Sequence, residues 1–196
     1  MAARGRTPPG RTALEGLSFF MADMQAGIGP FLGVLLLAHG WRAGAIGTVI
    51  SVGAVAGMIA VGPCGALVDA TRRKRSWVAV AGLLSLTASG LVLVSQQFWV
   101  IGASQIIACI AGAALGPGMV GLTLGVARQS GFTAQNGRNQ AFNHAGNLAG
   151  AALSGVLGWR FGFAAVFWLA AVFSVLSIAS VYAIPGAVID DAEARG

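Results

Sequence analysis

Residues 65–75 read GALVDATRRKR and separate two long apolar runs. The first run ends at Asp69, four consecutive cations occupy positions 72–75, and the second run begins at Trp77. Short loops rich in Arg and Lys stay on the cytoplasmic side of a membrane. This stretch therefore predicts a turn between two spanning helices, with the turn at the cytoplasmic face.

The composition of the whole chain also indicates a membrane protein. Of its 196 residues, 56% are hydrophobic and only 9% are charged, and the mean hydropathy is +0.78. Soluble domains carry about 25% charged residues, so this chain is too apolar to present an ordinary water-exposed surface. The net charge of +6 does not indicate nucleic-acid binding, because the cations lie in loops and tails between apolar runs. We predict an all-α integral membrane protein.

The apolar runs predict six transmembrane helices, each long enough to cross a hydrocarbon core about 30 Å thick. The polar residues 128–138 are predicted to form an interior loop. The predicted domains are a basic cytoplasmic tail at residues 1–14, a six-helix membrane domain at 15–185 and a second cytoplasmic tail at 186–196. The predicted spans cover residues 17–38, 43–68, 77–94, 98–127, 139–157 and 163–184.

The distribution of cations predicts the orientation of these helices. Of the 12 Lys and Arg residues, only Arg42 and Arg160 fall in predicted exterior loops, and all the others lie in the tails and interior loops. An excess of Lys and Arg on the cytoplasmic side is the rule for multi-pass membrane proteins. We therefore expect a multi-pass protein of a plasma membrane, with both termini in the cytoplasm.

The basic turn resembles the signature loop between helices 2 and 3 of the major facilitator superfamily, whose pattern is roughly G-x-L-a-D-r-x-G-R-R/K. The matching residues are Gly65, Leu67, Asp69, Arg73 and Lys74. Ala70 stands where the family often has Arg, and Arg72 stands where it usually has Gly. The resemblance implies one six-helix bundle, half of the family's twelve-helix fold, in a bacterial inner membrane. It also implies a cytoplasmic gate in which Asp69 pairs with basic groups on neighbouring helices, and it makes residues 186–196 the start of the central cytoplasmic loop.

A polar face marks the fifth predicted span. Gln140, Asn143, His144 and Asn147 are spaced by three and four residues, so they share one side of a helix. Such a face is costly against lipid, and it is expected either to line a water-filled path or to form a contact between helices. The imidazole of His144 suits proton handling or hydrogen bonding to a substrate. The run RNQAFNHAGN at residues 138–147 also resembles the fifth helix of a bacterial subgroup of uncharacterised superfamily transporters.

Three further polar residues are assigned to the predicted substrate or proton path. Asp23 lies within the first span, where a carboxylate must face a cavity or a partner, or be protonated. It is interpreted either as a proton-coupling or cation-binding group or as a polar anchor near the inner headgroups, and Gln25 follows it closely. Gln105 lies in the region of the fourth span where the resembled family has an Arg credited with proton transfer, and that role cannot be carried over.

Glycine is abundant, with 30 residues, and pairs of glycines four residues apart recur. Small residues at this spacing let helix backbones approach closely in lipid. We interpret them as packing contacts rather than as residues specific to transport. The pairs are Gly53/Gly57, Gly112/Gly116, Gly121/Gly125 and Gly146/Gly150.

The function predicted from these features is that of a secondary active transporter, or half of one, which moves a small solute by alternating access. The resemblance admits coupling to protons and implies a second six-helix half as partner, either a second copy or a C-terminal half. The alternative is a non-transporting membrane protein that assembles with or regulates other helices, or an inactive truncated transporter fragment. No enzyme activity, metal, cofactor or nucleic acid is expected, because the sequence has no nucleotide-binding loop, no Cys/His metal spacing and no acid pair with a nucleophile.

Overall fold

The structure is a computed structural model that describes residues 10–26, 28–71 and 73–189; for residues 23–26 and 28–30 it describes the backbone alone. These residues form six α-helices and one short 3-10 turn, and no β-strand occurs among them. The all-α prediction is confirmed. The helices are α1 Arg11–Ala26, α2 Ile28–Ala38, α3 Ala43–Ala70, α4 Lys74–Val94, α5 Phe98–Phe161 and α6 Ala164–Tyr182.

Short connections join the helices, and the backbone of each explains where a helix ends. Gly40 and Gly162 have φ angles of 80° and 83°, a conformation that glycine adopts at little cost because it has no Cβ. They turn the chain between α2 and α3 and between α5 and α6. At the basic turn, Thr71 is extended and its N–H donates to the carbonyls of Leu67 and Val68, so α3 ends there.

The largest departure from the predicted topology lies in α5. Its backbone is non-helical only at Arg128, with φ 56° and ψ 170°, so the interior loop predicted at residues 128–138 is wrong. Residues 129–138 are helical, and the helix predicted to start at residue 139 starts ten residues earlier. The prediction equated polarity with a loop, whereas Gln135 in this stretch is buried and hydrogen-bonded within the helix.

The two segments of α5 fold back on each other at Arg128. Asn139 Nδ2 donates a hydrogen bond of 2.9 Å to Thr123 Oγ1, although a straight helix rises about 24 Å between residues that far apart. We call the segments α5N (residues 98–127) and α5C (129–161). They run in opposite directions and correspond to the fourth and fifth predicted spans.

The bundle has two ends, which differ in charge. The basic end holds the α3–α4 turn, the break at Arg128 and both the first and the last described residues. Gly10 lies beside Val126 and Ile184 there, and the α4 residue Arg75 donates a hydrogen bond of 2.8 Å to the carbonyl at the end of α6. The opposite end holds the α2–α3 and α5–α6 turns. The described chain therefore starts and finishes on the same side of the bundle.

Two buried apolar clusters hold the helices together. The cluster nearer the basic end joins α1, α3, α4, α5N and α6, and the cluster at the opposite end joins α2, α3, α4, α5N and α6. Their buried members include Leu14, Val78, Leu122 and Val181 in the first cluster and Leu36, Val49, Ile101 and Phe167 in the second.

Four of the described helices, α3 to α6, are long and apolar enough to cross a membrane. The helices α1 and α2 have 16 and 11 residues, and together they cover the range of the first predicted span. The first helix begins at Arg11, earlier than the predicted start at Leu17. The count of six membrane spans stays a prediction.

Candidate functional site: an amide-lined pocket

A pocket of about 320 Å³ opens between α1 and the two segments of α5. Six of its ten lining residues carry a carboxamide or a hydroxyl group, and the other four are methionine, valine and glycine. We call it the amide pocket. Its lining residues are Ser18, Met21, Gly116, Met119, Val120, Thr123, Asn136, Asn139, Gln140 and Asn143.

The helix α1 lies very close to α5C because Gly146 has no side chain. A methyl group at this position would lie 2.9 Å from Cβ of Ala22 and would collide with the carbonyl oxygen of Phe19. Small residues permit such an approach between helices in lipid. The approach brings Asn143 within reach of α1, and its Nδ2 donates a hydrogen bond of 3.3 Å to the backbone carbonyl of Ser18.

Asn143 is also bound by the next polar residue along α5C. Asn147 Nδ2 donates to Asn143 Oδ1 over 3.2 Å. The Oδ1 atom of Asn147 is buried and has no hydrogen-bond partner among the described residues. A buried, unpaired acceptor is unfavourable by about 1–3 kcal/mol, so this atom favours a hydrogen-bond donor from water or from a bound solute.

Three hydrogen-bonded side chains join α5N to α5C beside the pocket. Gln135 Nε2 donates to Asn139 Oδ1 over 3.0 Å, and Asn139 Nδ2 donates to Thr123 Oγ1 over 2.9 Å. The Thr123 hydroxyl in turn donates to the carbonyl of Met119 over 2.7 Å. All three side chains are buried, where a low dielectric strengthens hydrogen bonds. The chain therefore fixes the orientation of the Asn139 amide in the pocket wall.

An ion pair joins α1 to α5C nearer the basic end. Arg138 Nε lies 2.8 Å from Glu15 Oε1, with the Glu15 side chain only 7% exposed and the Arg138 side chain 54% exposed. A buried carboxylate is tolerated when a cation lies this close. Because the two residues sit on different helices, the pair helps to hold α1 against α5C below the amide pocket.

The polar face predicted in the fifth span is divided between two environments. Gln140 and Asn143 line the amide pocket, while Asn147 is half-buried beside Asn143 and His144 is exposed. The side of this face that carries Asn143 contacts α1, and the side that carries Gln140 and His144 is open.

Of the three other predicted path residues, the structure describes the side chain of Gln105 alone, and it does not line the pocket. Gln105 is half-buried in the contact between α5N and α3, where its backbone packs against Gly53. The side chains of Asp23 and Gln25 lie outside the described residues. Their assignment to the path stays a prediction.

Nearly the whole chain matches the model of one protein family. The model, described as Major Facilitator Superfamily, covers residues 15–193. The chain belongs to the major facilitator superfamily. It is also similar to two uncharacterized MFS-type transporters of Mycobacterium tuberculosis, one from strain CDC 1551 / Oshkosh and one from strain ATCC 25618 / H37Rv, with 39% identity over 186 residues in each case. These matches cover 94% of this chain and 44% of each relative, so the chain spans about half the length of these relatives.

Membership in the superfamily makes this chain a multi-pass membrane protein of a transporter family. The residues of the superfamily signature loop lie at the basic end in different environments. Lys74 is 2% exposed, and its Nζ donates to the carbonyl of Val68 over 2.5 Å, so it satisfies a carbonyl at the end of α3. The pairing of Asp69 with a neighbouring helix stays a prediction. The remaining signature residues are exposed or half-buried: Gly65, Leu67, Asp69 and Arg73.

Reasoning from the sequence missed part of the site. Gln135 and Asn136 fall in the stretch predicted to be a loop, where polar residues carry no information about a site. Asn136 lies four residues before Gln140 and therefore shares its helical face. This spacing identifies Asn136 as a site residue once the helix is known to begin before it. Glu15 and Thr123 carry no comparable signal, because their partners are distant in sequence.

The arrangement is suited to binding uncharged polar groups. The pocket offers both donors and acceptors, because each carboxamide carries an N–H₂ group and a carbonyl oxygen. Among the residues that the structure describes, no group of three His, Cys, Asp or Glu side chains is placed to hold a metal ion.

Proposed function

We propose that this chain is one six-helix half of a secondary transporter that carries a small solute by alternating access. The amide pocket supports this proposal. Carboxamides and hydroxyls face a common space between α1 and the two segments of α5, and α5 is apolar enough to cross a membrane. Polar groups at that depth are costly unless they face water, a partner or a solute, so this surface is the expected wall of a solute path.

The chemistry of the lining favours a neutral solute. None of the described lining residues is charged, whereas the carboxamides supply donors and acceptors in comparable number. Met21 and Met119 add flexible apolar surface. The proposed solute is therefore a small uncharged organic molecule with hydrogen-bonding groups and an apolar part. Protons are the proposed coupling ion, with His144 and Asp23 as the proton-carrying groups.

The proposed path needs a second wall. The side of α5C that carries Gln140 and His144 is open, and the chain spans only 44% of its relatives. We propose that a second six-helix half covers this side, either a second copy of this chain or a C-terminal half. In this arrangement the protein lies in a bacterial inner membrane with the basic end in the cytoplasm.

Ligand binding tests the solute class. The purified protein is heated in detergent with a panel of neutral, cationic and anionic small molecules, because a ligand that binds the folded state raises the unfolding temperature. We expect stabilisation by neutral members of the panel and its loss in Asn143→Ala. Gln97→Ala is the matched control, since Gln97 is an exposed carboxamide at the opposite end of the bundle. Stabilisation by charged compounds alone, or its persistence in Asn143→Ala, would refute the assignment.

Uptake of these ligands into proteoliposomes tests transport itself. We expect His144→Ala to lower the uptake rate while the amount of protein inserted in the membrane stays the same, because His144 is exposed and supports no described contact. Unchanged uptake would remove His144 from the path.

Native mass spectrometry separates the proposal from its alternative, a non-transporting assembly protein or a transporter fragment. A stable dimer would supply the second wall from a second copy. A monomer without uptake would favour the alternative, and uptake restored by a co-expressed C-terminal half would favour the transporter.

A further inference from the structure

A second pocket lies at the basic end, apart from the amide pocket. Its volume is about 300 Å³, and it is formed by the start of α4 and by the end of α6 with the residues that follow it. Among the residues that the structure describes, its lining includes three consecutive cations and no acidic residue. We call it the basic pocket, and its lining residues are Arg73, Lys74, Arg75, Ser76, Tyr182, Gly186 and Ile189.

The guanidinium group of Arg75 is held in a fixed position in this pocket. Its Nη2 donates to the carbonyl of Tyr182 over 2.8 Å, and its Cζ lies 5.4 Å from the centroid of the Tyr182 ring, a cation–π distance. Its Nε is buried and has no hydrogen-bond partner among the described residues. Arg73 is exposed beside it. Because the Arg75 Nε atom is buried, a ligand in the pocket would meet the exposed side chain of Arg73 and the positive charge of Arg75.

The start of α4 adds to the positive potential of the pocket. The helix begins at Lys74, and the side chain of its N-cap residue Arg73 does not cap it. Backbone N–H groups in the first turn of a helix favour anions. The cationic side chains and the helix start therefore favour the same ligand, an anion with several acceptor oxygens.

Exposed apolar residues lead away from the pocket along both helices. On α4, Ser76, Val80 and Leu83 are spaced by four and three residues and share a face, and Val80 and Leu83 are 53% and 55% exposed. On α6, Tyr182 and Val175 share a face and are 55% and 52% exposed. A ligand with an anionic head and long apolar chains matches this surface, whereas a soluble anion would use only the pocket.

We propose that the basic pocket binds the phosphate of an anionic phospholipid headgroup, with the acyl chains lying along the exposed faces of α4 and α6. Basic pockets between membrane helices on the cytoplasmic side bind such headgroups. The site shares no residue with the amide pocket, so it does not depend on the proposed transport function.

Lipid retention in native mass spectrometry tests the site. The protein is released from micelles that contain phosphatidylglycerol and phosphatidylcholine in equal amounts, and bound lipids are counted. We expect preferential retention of phosphatidylglycerol, and a decrease of about 5-fold in its affinity for Arg73→Gln and for Arg75→Gln, the effect of removing one cation near an anionic headgroup. Arg73→Gln is the variant least expected to disturb folding, because Arg73 is exposed.

A matched control exists at the opposite end. The Cζ atom of Arg160 lies 5.6 Å from the ring centroid of Phe161, so Arg160 repeats the arginine–aromatic pair of Arg75 without the basic pocket. We expect Arg160→Gln to retain phosphatidylglycerol like the unmodified chain. Equal loss in Arg160→Gln, or equal retention of the two lipids by the unmodified chain, would overturn the proposal.

Competition with inorganic phosphate separates a lipid headgroup from a free anion. We expect inorganic phosphate to displace phosphatidylglycerol only weakly, because it makes no contact with the apolar faces of α4 and α6. Displacement at concentrations equal to that of the lipid would show a free-anion site and reject the lipid assignment. The unfolding temperatures of Arg73→Gln and the unmodified chain are also compared in phosphatidylcholine micelles. We expect them to be equal, which would exclude misfolding as the cause of lost lipid retention.

Discussion

The helix α5 meets α1 and α3 through two contacts of different kinds. Its contact with α1 combines close packing at Gly146 with directional polar bonds. Asn143 donates to the backbone of Ser18 above the ion pair that Arg138 makes with Glu15. A hydrogen bond depends on angle and distance, so the Asn143 bond fixes the position of α1 along α5C as well as its distance, and the ion pair adds an attraction that weakens as the charges separate.

The contact with α3, as far as the described residues show it, is made by close packing. Gly53 and Gly57 place α3 against Gln105 and Cys109 of α5N, so closely that a methyl group at either glycine would lie 2.9 Å from the facing Cβ. None of the described side-chain hydrogen bonds joins α3 to α5. Close packing of this kind sets the distance between helices without the angular requirement that a hydrogen bond adds.

The difference between the two contacts bears on how the molecule moves. We call the α1–α5C contact the polar contact. It borders the amide pocket, and its hydrogen bond and ion pair keep the pocket residues of α1 aligned with those of α5C. The α3–α5N contact, the glycine contact, leaves α3 freer to shift. We therefore expect α1 and α5C to move as one body in the proposed transport cycle, while α3 changes its position against α5N.

The largest effect is expected from Gly146→Ala in the polar contact. The added methyl group would collide with the Phe19 carbonyl oxygen, which belongs to a helix backbone and cannot rotate away. We expect a loss of about 3 kcal/mol in the free energy of unfolding, the upper part of the usual range for overpacking. The measurement is unfolding in detergent followed by circular dichroism.

Gly155→Ala is the control for this substitution. It lies on the same helical segment, and a methyl group there would have no neighbour within 4 Å. Alanine favours the helix over glycine by about 1 kcal/mol, so the control variant should be unchanged or slightly more stable. Equal stability of the Gly146 and Gly155 variants would show that the two helices are not in close contact at Gly146.

A smaller effect is expected from Gly53→Ala in the glycine contact. The methyl group would lie 2.9 Å from the Gln105 Cβ and 3.0 Å from its carbonyl carbon, but α3 can move outward without breaking a polar bond. We expect a loss of about 2 kcal/mol, measured in the same way. Gly62→Ala on α3 is the control, since a methyl group there meets nothing within 4 Å. A loss equal to that of Gly146→Ala would contradict the idea that the glycine contact yields more easily.

Much of the fold follows from hydrophobicity and charge. The apolar runs identify α3, α4 and α6 with bounds close to the observed ones, because a continuous apolar segment has few alternatives to a helix in lipid. The stretch after Arg128 is the exception. Its residues are polar, so hydropathy marks it as a loop, but Gln135 donates a hydrogen bond to Asn139 and stays helical and buried.

The site was less predictable than the fold, because a site depends on which helices meet. Helical spacing identifies Gln140 and Asn143 as neighbours on one face, and both line the amide pocket. It cannot identify Thr123 or Glu15, whose partners lie on other helical segments. Glycine spacing is only a partial guide: Gly53 and Gly146 lie in close contacts, while a methyl group at Gly112 or Gly116 would meet nothing within 4 Å.

The smallest effect is expected from Arg138→Gln, which tests how much the ion pair with Glu15 contributes to the polar contact. The substitution leaves the buried carboxylate of Glu15 without its partner, but Arg138 is 54% exposed, so water weakens the pair. We expect a loss of about 1 kcal/mol, between the values typical of exposed and buried pairs. The measurement is a double-mutant cycle with Glu15→Gln, in which the double variant should lose less than the sum of the single ones.

The outcome of this cycle decides what distinguishes the two contacts. A coupling energy between Glu15 and Arg138 means that charge attraction across the polar contact holds α1 in register on α5C, which the glycine contact has no means to do. A coupling energy of zero means that α1 is held by packing at Gly146 and by the Asn143 hydrogen bond alone. In that case the Asn143 hydrogen bond would carry the described polar difference between the two contacts, and α1 would be expected to shift along α5C more readily than if the ion pair also held it.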